Sequence, residues 1–304
     1  MKFTVEYPSD VPTANPQLRE PAVMRALSSR AEELGFDAIA LADHPAPSAK
    51  WRRAGGHNTF EPAVALAFFA AATETIRLMT HLYVLPFRNP YLAAKTLTSV
   101  DIVSGGRLIA GVGAGYLRSE FAALGVDFDD RIRLFDEYLV ALHQVWTHPE
   151  RPVTGSTFAA TGELNLDVPT QKPHPPLWIG GNSIATLRRV VEHGSGWCPM
   201  VGPAAVASAV RTASIENVAD FSRAVERLRE LLTAAGRHPD SIEIQVAAPA
   251  VDLDDPSALA ALDTYIAEMR CAGATRILAH VDAGSASAAD KSMTRLADHF
   301  GIGD

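Results

Sequence analysis

The stretch Arg77–Phe121, RLMTHLYVLPFRNPYLAAKTLTSVDIVSGGRLIAGVGAGYLRSEF, reads as strand, loop, helix, strand and glycine-rich turn. Leu78 to Leu85 is apolar almost without interruption, which suits a strand buried on both faces of a parallel sheet. Pro86 and Pro90 end it and open a helix, where apolar residues recur at helical spacing from Tyr91 to Val103. Ser104-Gly105-Gly106 then stops the helix by supplying positions that tolerate positive φ. Arg107 to Val112 is a second buried strand, and it opens into Gly113-Ala114-Gly115-Tyr116. This is one βαβ unit with a backbone-exposing turn at the carboxyl end of its second strand, the end where ligands bind in parallel α/β folds. A dinucleotide-binding turn needs G-x-G-x-x-G in the first βα unit and an acid about 20 positions on. Gly111-x-Gly113-x-Gly115 has its third glycine one place early, in a unit that is not the first, so a nicotinamide-dinucleotide fold does not fit.

The same alternation extends in both directions. Upstream, Lys2 to Tyr7 reads as a strand, Glu20 to Leu34 as a helix with proline first and glycine last, and Phe36 to Ala42 as a strand ending in Asp43 and His44 before Pro45. A polar loop over 46–60 leads to an apolar helix, Glu61 to Thr73. Downstream, Glu120 to His148 is helical in two pieces broken near Gly125, with Asp127, Asp129 and Asp130 as a solvated cap before the second. Pro149 to Pro176 is rich in proline without helical period, an excursion with an expected hairpin around Phe158 to Val168. Strands then recur at Leu177–Ile179, Trp197–Val201, Ile242–Ala247 and Arg276–Val281. They alternate with helices at Ser183–His193, Ser214–Ala235, Leu259–Cys271 and Ala286–Phe300. Eight strands alternating with eight helical segments, without a linker, predict an α/β fold of the (β/α)8 or TIM-barrel type. A single domain is expected over residues 1–304, with excursions at 45–60 and, after the fourth helix, at 149–176. The rival architecture is a doubly wound sheet with an appended piece.

At 304 residues and 47% hydrophobic content the chain can bury a barrel-sized core. A net charge of -8 without a Lys/Arg block argues against nucleic acid or an anionic membrane as partner. The opening MKFTVEYPSDVP has no signal-peptide core and no run approaches a membrane span, so a cytoplasmic location is expected. Cys198 and Cys271 are too few and too far apart for a disulfide framework or a metal site, and are expected reduced. His57, His81 and His280 could converge at a barrel mouth, but their spacing supports no metal centre. Neither a G-x-S-x-G elbow nor a phosphate-binding G-x-x-x-x-G-K occurs, and the strand ends carry no Schiff-base lysine, which disfavours a lyase or aldolase barrel.

Four segments, AEELGFDAIALADH, THLYVLPFRNP, VDIVSGGRLIAGVGAGYLRSEF and KPHPPLWIGGNS, together resemble the luciferase-like monooxygenase superfamily over residues 1 to 202. Within it the chain is most similar to the deazaflavin-dependent oxidoreductases that use coenzyme F-420. The resemblance implies that Asp43 and His44 lie beside the reactive ring. It also implies that strand three, through Thr80, His81 and Leu82, carries a non-proline cis peptide at His81–Leu82 behind that ring. It assigns Gly113, Ala114, Gly115, Tyr116 and Ser119 to the ring and its side chain, Gly180, Gly181 and Asn182 to the cofactor phosphate, and Met200, Val201 and Gly202 to the closure of the pocket. A homodimer is the expected assembly. Tyr116 departs from the pattern, because sugar-phosphate dehydrogenases of the superfamily carry an acid there, and a phenol with a pKa of about 10 is a poor base.

Physical grounds support part of this. Gly180-Gly181-Asn182-Ser183 runs into a helix, whose amino terminus offers unpaired N–H groups to an anion. The alternative is an ordinary turn with Asn182 or Ser183 as N-cap. His44 is either a satisfied structural residue or the group that moves a proton during hydride transfer, since a pKa of about 6.5 suits both. The expected activity is hydride transfer between coenzyme F-420 and a small organic substrate, with His44 and Tyr116 as catalytic candidates and no metal. The alternatives are an FMN-dependent monooxygenase supplied by a separate reductase, and a non-catalytic deazaflavin-binding protein. Tyr7, Trp51 and His280 are candidate substrate contacts, whereas an isolated tryptophan such as Trp197 is more often packing.

Overall fold

The computed structural model describes residues 1–303. Its strands are β1 (Lys2–Glu6), β2 (Ala38–Leu41), β3 (Arg77–Thr80), β4 (Tyr83–Val84), β5 (Leu108–Gly113), β6 (Leu177–Gly180), β7 (Gly196–Cys198), β8 (Glu243–Ala247) and β9 (Arg276–Ala279). They form one sheet in the order β3-β2-β1-β9-β8-β7-β6-β5-β4, and a further β3–β5 pairing closes it. Every pairing between these strands is parallel. Both β3 and β4 pair with β5, so they are two halves of one barrel strand and the barrel has eight staves. This is the expected (β/α)8 architecture rather than an open doubly wound sheet, because an open sheet would leave β3 and β4 as edges.

The interruption between the halves has a plain register. Between Met79–Ile109 and Tyr83–Val112, three residues (Thr80, His81, Leu82) stand opposite two (Ala110, Gly111). The surplus residue makes a bulge, a device that re-aims side chains at barrel rims. The His81–Leu82 bond is cis, as the resemblance implies. The bulge crowds β5 so closely that a Cβ at Gly111 would stand 2.1 Å from the Thr80 carbonyl oxygen. Glycine at 111 is therefore set by close approach of two backbones.

Alternation along each strand divides two cores. On β2, Ala38 and Ala40 join Met79, Ile109, Trp178, Cys198 and Leu278 inside the barrel, while Ile39 and Leu41 pack outward. Small residues on one stave make room for a tryptophan on another, as a barrel of this strand number requires. The outer layer consists of α1 (Pro21–Glu33), α3 (Pro62–Ala72), α4 (Pro90–Val103), α6 (Arg131–Thr147), α7 (Ile184–His193), α9 (Val218–Ala234), α10 (Pro256–Cys271) and α11 (Ala286–Phe300). Four of these, α1, α3, α4 and α10, begin with proline, where the missing N–H costs nothing. Three short helices, α2 (Ala49–Arg53), α5 (Arg118–Ala123) and α8 (Ala204–Ala209), lie in loops after strand carboxyl ends. The break near Gly125 between α5 and α6 falls where the sequence places it.

Two local expectations need correction. The hairpin is not around Phe158–Val168 but earlier: Thr154 bridges Ala159 antiparallel and Gly155 N–H donates to the Phe158 carbonyl. Phe158 fixes this turn by inserting against Tyr91 and Tyr138. The sixth stave ends at Cys198 rather than Val201, because Pro199 has no N–H for the ladder.

Candidate active site

His44 leaves the carboxyl end of β2, Tyr116 sits in the turn after β5, and Glu120 lies one helical turn further on, inside α5. Their side chains meet. His44 Nδ1 is 3.2 Å from Glu120 Oε2, and Tyr116 Oη is 3.3 Å from His44 Nε2. Glu120 is only 1% exposed, and its other oxygen accepts the Ala46 N–H at 3.2 Å. An ionised carboxylate can only accept, so Nδ1 of a neutral imidazole carries the proton, and Nε2 is left to accept from the phenol. Burial and the nearby Glu120 push the Tyr116 hydroxyl up to about 12, which keeps it a donor. Trp51 on α2 covers the imidazole with ring centroids 4.5 Å apart, and His57 meets it edge-on at 5.3 Å. Trp51 therefore lines the His44 ring. His57 Nδ1 is buried without a hydrogen-bond partner, and burial followed by the charge of His44 lowers its pKa.

Asp43 has a different job from its neighbour. Its carboxylate accepts from Arg88 at 2.6 and 2.9 Å and from the Val84 N–H at 2.9 Å, so both oxygens are committed to bracing β2 against β4. Burial alone would lower the Arg88 pKa, but the pairing with Asp43 raises it. Thr80 donates to the Gly111 carbonyl at 2.8 Å and is fully buried. Leu82 projects between the glycine turns: a Cβ at Gly180 would stand 2.0 Å from its Cδ1, and one at Gly113 3.3 Å from it. Gly115 is held at φ +76, and a Cβ there would meet Val84 and Phe121 within 3 Å. Ala114 is half-buried between these glycines, while Ser119 faces solvent on α5.

On the next stave, β6 ends in Gly180 and turns through Gly181 at φ +114. Asn182 is the knot of this region. Its amide donates to the Met200 and Ala213 carbonyls at 2.7 Å each, its oxygen accepts the Met200 N–H at 2.9 Å, and its own N–H donates to Thr212 Oγ1 at 2.8 Å. Ser183 is the N-cap of α7, accepting the Thr186 N–H at 3.1 Å. Gly202 N–H donates to Ile215 at 2.9 Å, so Met200, Val201 and Gly202 form the wall beside the Gly181 turn. Trp197 is packing: fully buried, it donates to the Gly181 carbonyl at 2.8 Å.

Across the mouth, Glu6 at the end of β1 meets His280 just beyond β9 at 2.7 Å. Burial would raise the Glu6 pKa, yet the hydrogen bond and charge of His280, with His81 and His57, hold it below the ordinary value. Burial would lower His280, but Glu6 raises it. His81 is lowered by burial. Tyr7 is corrected as a substrate contact, because it is 1% exposed and its hydroxyl donates to the Leu18 carbonyl at 2.6 Å. A cavity of about 1350 Å³ runs from His280 along α11 and includes none of His44, Tyr116 or Glu120. Among the described residues no group of three or more His, Cys, Asp or Glu could hold a metal ion, and no helix is long and apolar enough to cross a membrane. Both cysteines are free, and burial pushes the Cys198 thiol up to about 12.

Sequence reasoning missed Glu120 as a site residue. The available signal was an acid one helical turn after Tyr116 and directly before an apolar phenylalanine, where a solvated carboxylate is out of place.

A cis bulge in the third stave, glycine turns at the carboxyl ends of β5 and β6, and a histidine at the end of β2 coincide with a family match. Residues 1–299 match the luciferase-like monooxygenases, and the chain belongs to that family. An FMNH(2)-dependent dimethylsulfone monooxygenase of Pseudomonas putida is 31% identical over 146 residues, 47% of this chain and 40% of that one. An F420-dependent glucose-6-phosphate dehydrogenase of Gordonia bronchialis is 27% identical over 226 residues, 70% of this chain and 64% of that one. The matched stretches therefore span under two thirds of the length of these relatives. In fold, a monooxygenase from Streptomyces bottropensis superposes with a TM-score of 0.78 at 23% identity, with 98% of each chain covered.

Proposed function

We propose that this protein is an oxidoreductase that transfers hydride between the deazaflavin coenzyme F-420 and a small organic substrate. The observation that carries this reading is the Glu120–His44–Tyr116 chain of contacts beside the β3/β4 bulge. The mouth also fits a polar-edged ring, since His57 Nδ1 is buried there without a partner. The turn at Gly180 and Gly181 leads into the first N–H groups of α7, which have no intrahelical acceptor and suit a phosphate. When bound, the cofactor supplies hydride exchange at C5, which no side chain can.

The protein's own residues handle the proton. A substrate hydroxyl takes the place of the Tyr116 hydroxyl at His44 Nε2, which accepts its proton during oxidation or returns one during reduction. Glu120 fixes the tautomer through Nδ1 and stabilises the imidazolium that forms, and Tyr116 donates a hydrogen bond that orients the incoming oxygen. Leu82, with Gly113, Ala114 and Gly115, would hold the ring. Gly180, Gly181 and the segment Met200, Val201, Gly202 would hold the phosphate, with Asn182 as the residue that ties the two segments together. Residues 1–303 work as one domain, and a homodimer is the expected assembly.

The reading with reduced FMN and oxygen, supplied by a separate reductase, is favoured by the dimethylsulfone monooxygenase match. The deazaflavin reading has the longer match, 70% of the chain against 47%. Titrating the purified protein with each cofactor separates them. Tight coenzyme F-420 binding with weak FMN binding is expected, and the reverse would remove the proposal. Turnover by wild type that is lost in His44→Ala with retained binding distinguishes an enzyme from a deazaflavin carrier.

A further inference from the structure

β2 ends at Leu41, and the residues that follow it to His44 run on beyond the backbone ladder. On one side β1 stops at Glu6; the Tyr7 N–H still donates to the Ala40 carbonyl at 3.0 Å, and the chain then turns away at Pro8. On the other side the last backbone bond runs from the His81 N–H to the Leu41 carbonyl at 2.7 Å. The Ala42 and His44 N–H groups therefore lie past the last ladder acceptor. Ala42 is buried, where an N–H without a partner is costly.

Side chains from two other segments supply the acceptors. Asp10 Oδ2 accepts the Ala42 N–H at 2.9 Å, while Thr59 Oγ1 accepts the His44 N–H at 3.0 Å and donates to the His44 carbonyl at 3.4 Å. The Ser9 hydroxyl donates to Asp10 Oδ1 at 2.8 Å, and both residues are buried. Arg19 joins the two supports, donating to the Ser9 carbonyl at 3.3 Å and to the Asn58 carbonyl at 2.8 Å. With Asp43 held by Arg88, residues 42, 43 and 44 are each tied to a different segment. Asp10 sits in a setting that opposes its charge. Burial pushes its carboxyl up to about 7 and the charge of Glu6 adds to the rise, against the hydrogen bonds from Ala42 and Ser9 and the charge of Arg19. Stability alone does not explain an acid there, because a neutral residue of the same shape would avoid burying the charge.

We propose that Asp10 and Thr59 are positioning residues for His44: they stand in for the strand neighbours that β2 lacks past Leu41, and set the imidazole where Glu120 selects its tautomer. This rests on the reading of His44 as the proton carrier and adds the supports that place it. The contact lengths show why placement matters. His44 Nδ1 lies 3.2 Å from Glu120 and Nε2 3.3 Å from Tyr116, so a further shift of about 0.5 Å takes either contact beyond hydrogen-bond reach. Two side-chain acceptors, one on each alternate N–H, fix the backbone from which the ring projects.

The test reads the His44 ring nitrogens by 15N NMR in the full chain without cofactor, assigned by their loss in His44→Gln. Wild type, Asp10→Ala, Asp10→Asn and Thr59→Val are compared at about pH 8, above the ordinary imidazole value. Wild type should carry the proton on Nδ1 rather than Nε2 by at least about tenfold. Asp10→Ala and Thr59→Val should each bring that preference below about threefold, whereas Asp10→Asn, whose amide oxygen still accepts from Ala42, should keep it. Thr59→Val retains the shape of the side chain without the acceptor, so the test stands even where Asp10→Ala fails to fold. A preference that survives either deletion in a folded protein would overturn the proposal, and so would its loss in Asp10→Asn. In turnover with coenzyme F-420, kcat should fall about tenfold in the same two deletions with cofactor affinity unchanged, and an undiminished kcat would equally overturn it. Wild type that shows the expected tautomer but neither binds nor turns over coenzyme F-420 would remove the functional reading and leave the positioning of His44 standing.

Discussion

Two histidine–carboxylate pairs stand at the mouth of this barrel, and they differ in what else surrounds them. His44–Glu120 is the deeper pair, with side chains 9% and 2% exposed, and the second imidazole nitrogen is already occupied by Tyr116. His280–Glu6 is closer, at 2.7 Å, and more open, and its carboxylate feels two further imidazoles, His81 and His57. In the first pair the acid holds one ring in one tautomer and leaves the far nitrogen aimed at a hydroxyl. In the second, several rings act on one acid and stabilise its charge. The same two residue types thus give an oriented proton carrier in one place and an ion pair in the other, according to how many partners the acid shares.

Removing each histidine breaks this comparison most directly. His44→Ala should lower kcat by about 10²- to 10⁴-fold, the usual worth of a general acid–base group, with little change in cofactor affinity. His280→Ala should cost less than about tenfold by the same measure. Comparable losses from the two variants in steady-state kinetics would mean that the pairs do not have separate roles.

Glu120→Gln keeps an acceptor for His44 Nδ1 but removes the charge that supports an imidazolium. We expect kcat to fall by about 10²-fold. A kcat equal to that of wild type would assign Glu120 a packing role only.

Tyr116→Phe should reduce kcat by about tenfold, the worth of one lost hydrogen bond in a buried site. A kcat equal to that of wild type would show that the phenol takes no part in turnover.

The smallest effect concerns stability. Glu6 lies below its ordinary value near 4.5, so its contribution is present in full above that pH and drains as pH falls. His280 lies above its ordinary value near 6.5, so its contribution is present in full below that pH and is lost as pH climbs through the folded value. The pair should therefore stabilise most between these two values, by about 1 kcal/mol given its partial exposure. Urea unfolding of wild type against Glu6→Gln/His280→Asn across the pH range measures this, and a pH-independent difference would contradict it.

Most of the architecture was legible because it follows from period and punctuation. The Pro-first helices, the glycine stops and the continuous apolar strands carry their signal in nearest neighbours, and eight such units in a row leave a closed barrel as the economical arrangement. The cis position at His81–Leu82 and the turns at Gly113 and Gly180 were reached through resemblance. The register then supplied a physical reason for the neighbouring glycine, since three residues bulge past two and crowd Gly111. Asp43 and His44 are adjacent in sequence and looked alike as site candidates. They separated only when Arg88, 45 positions away, was seen to hold both oxygens of one of them. The hairpin near Phe158 was misplaced because its anchor lies in two helices distant in the chain.

By itself the sequence determined the alternation of strands and helices, the glycine turns at strand ends, and His44 as the titratable group to watch. Those features are local, set by side-chain period and backbone sterics within a few residues. Only the tertiary structure decided that Glu120 faces His44, that Tyr116 closes the other nitrogen, and that three arginines from separate segments meet over Phe128. Closing the barrel brings the ends of all its staves to one rim, so residues tens or hundreds of positions apart become neighbours there, and no local pattern in the chain records which of them will touch.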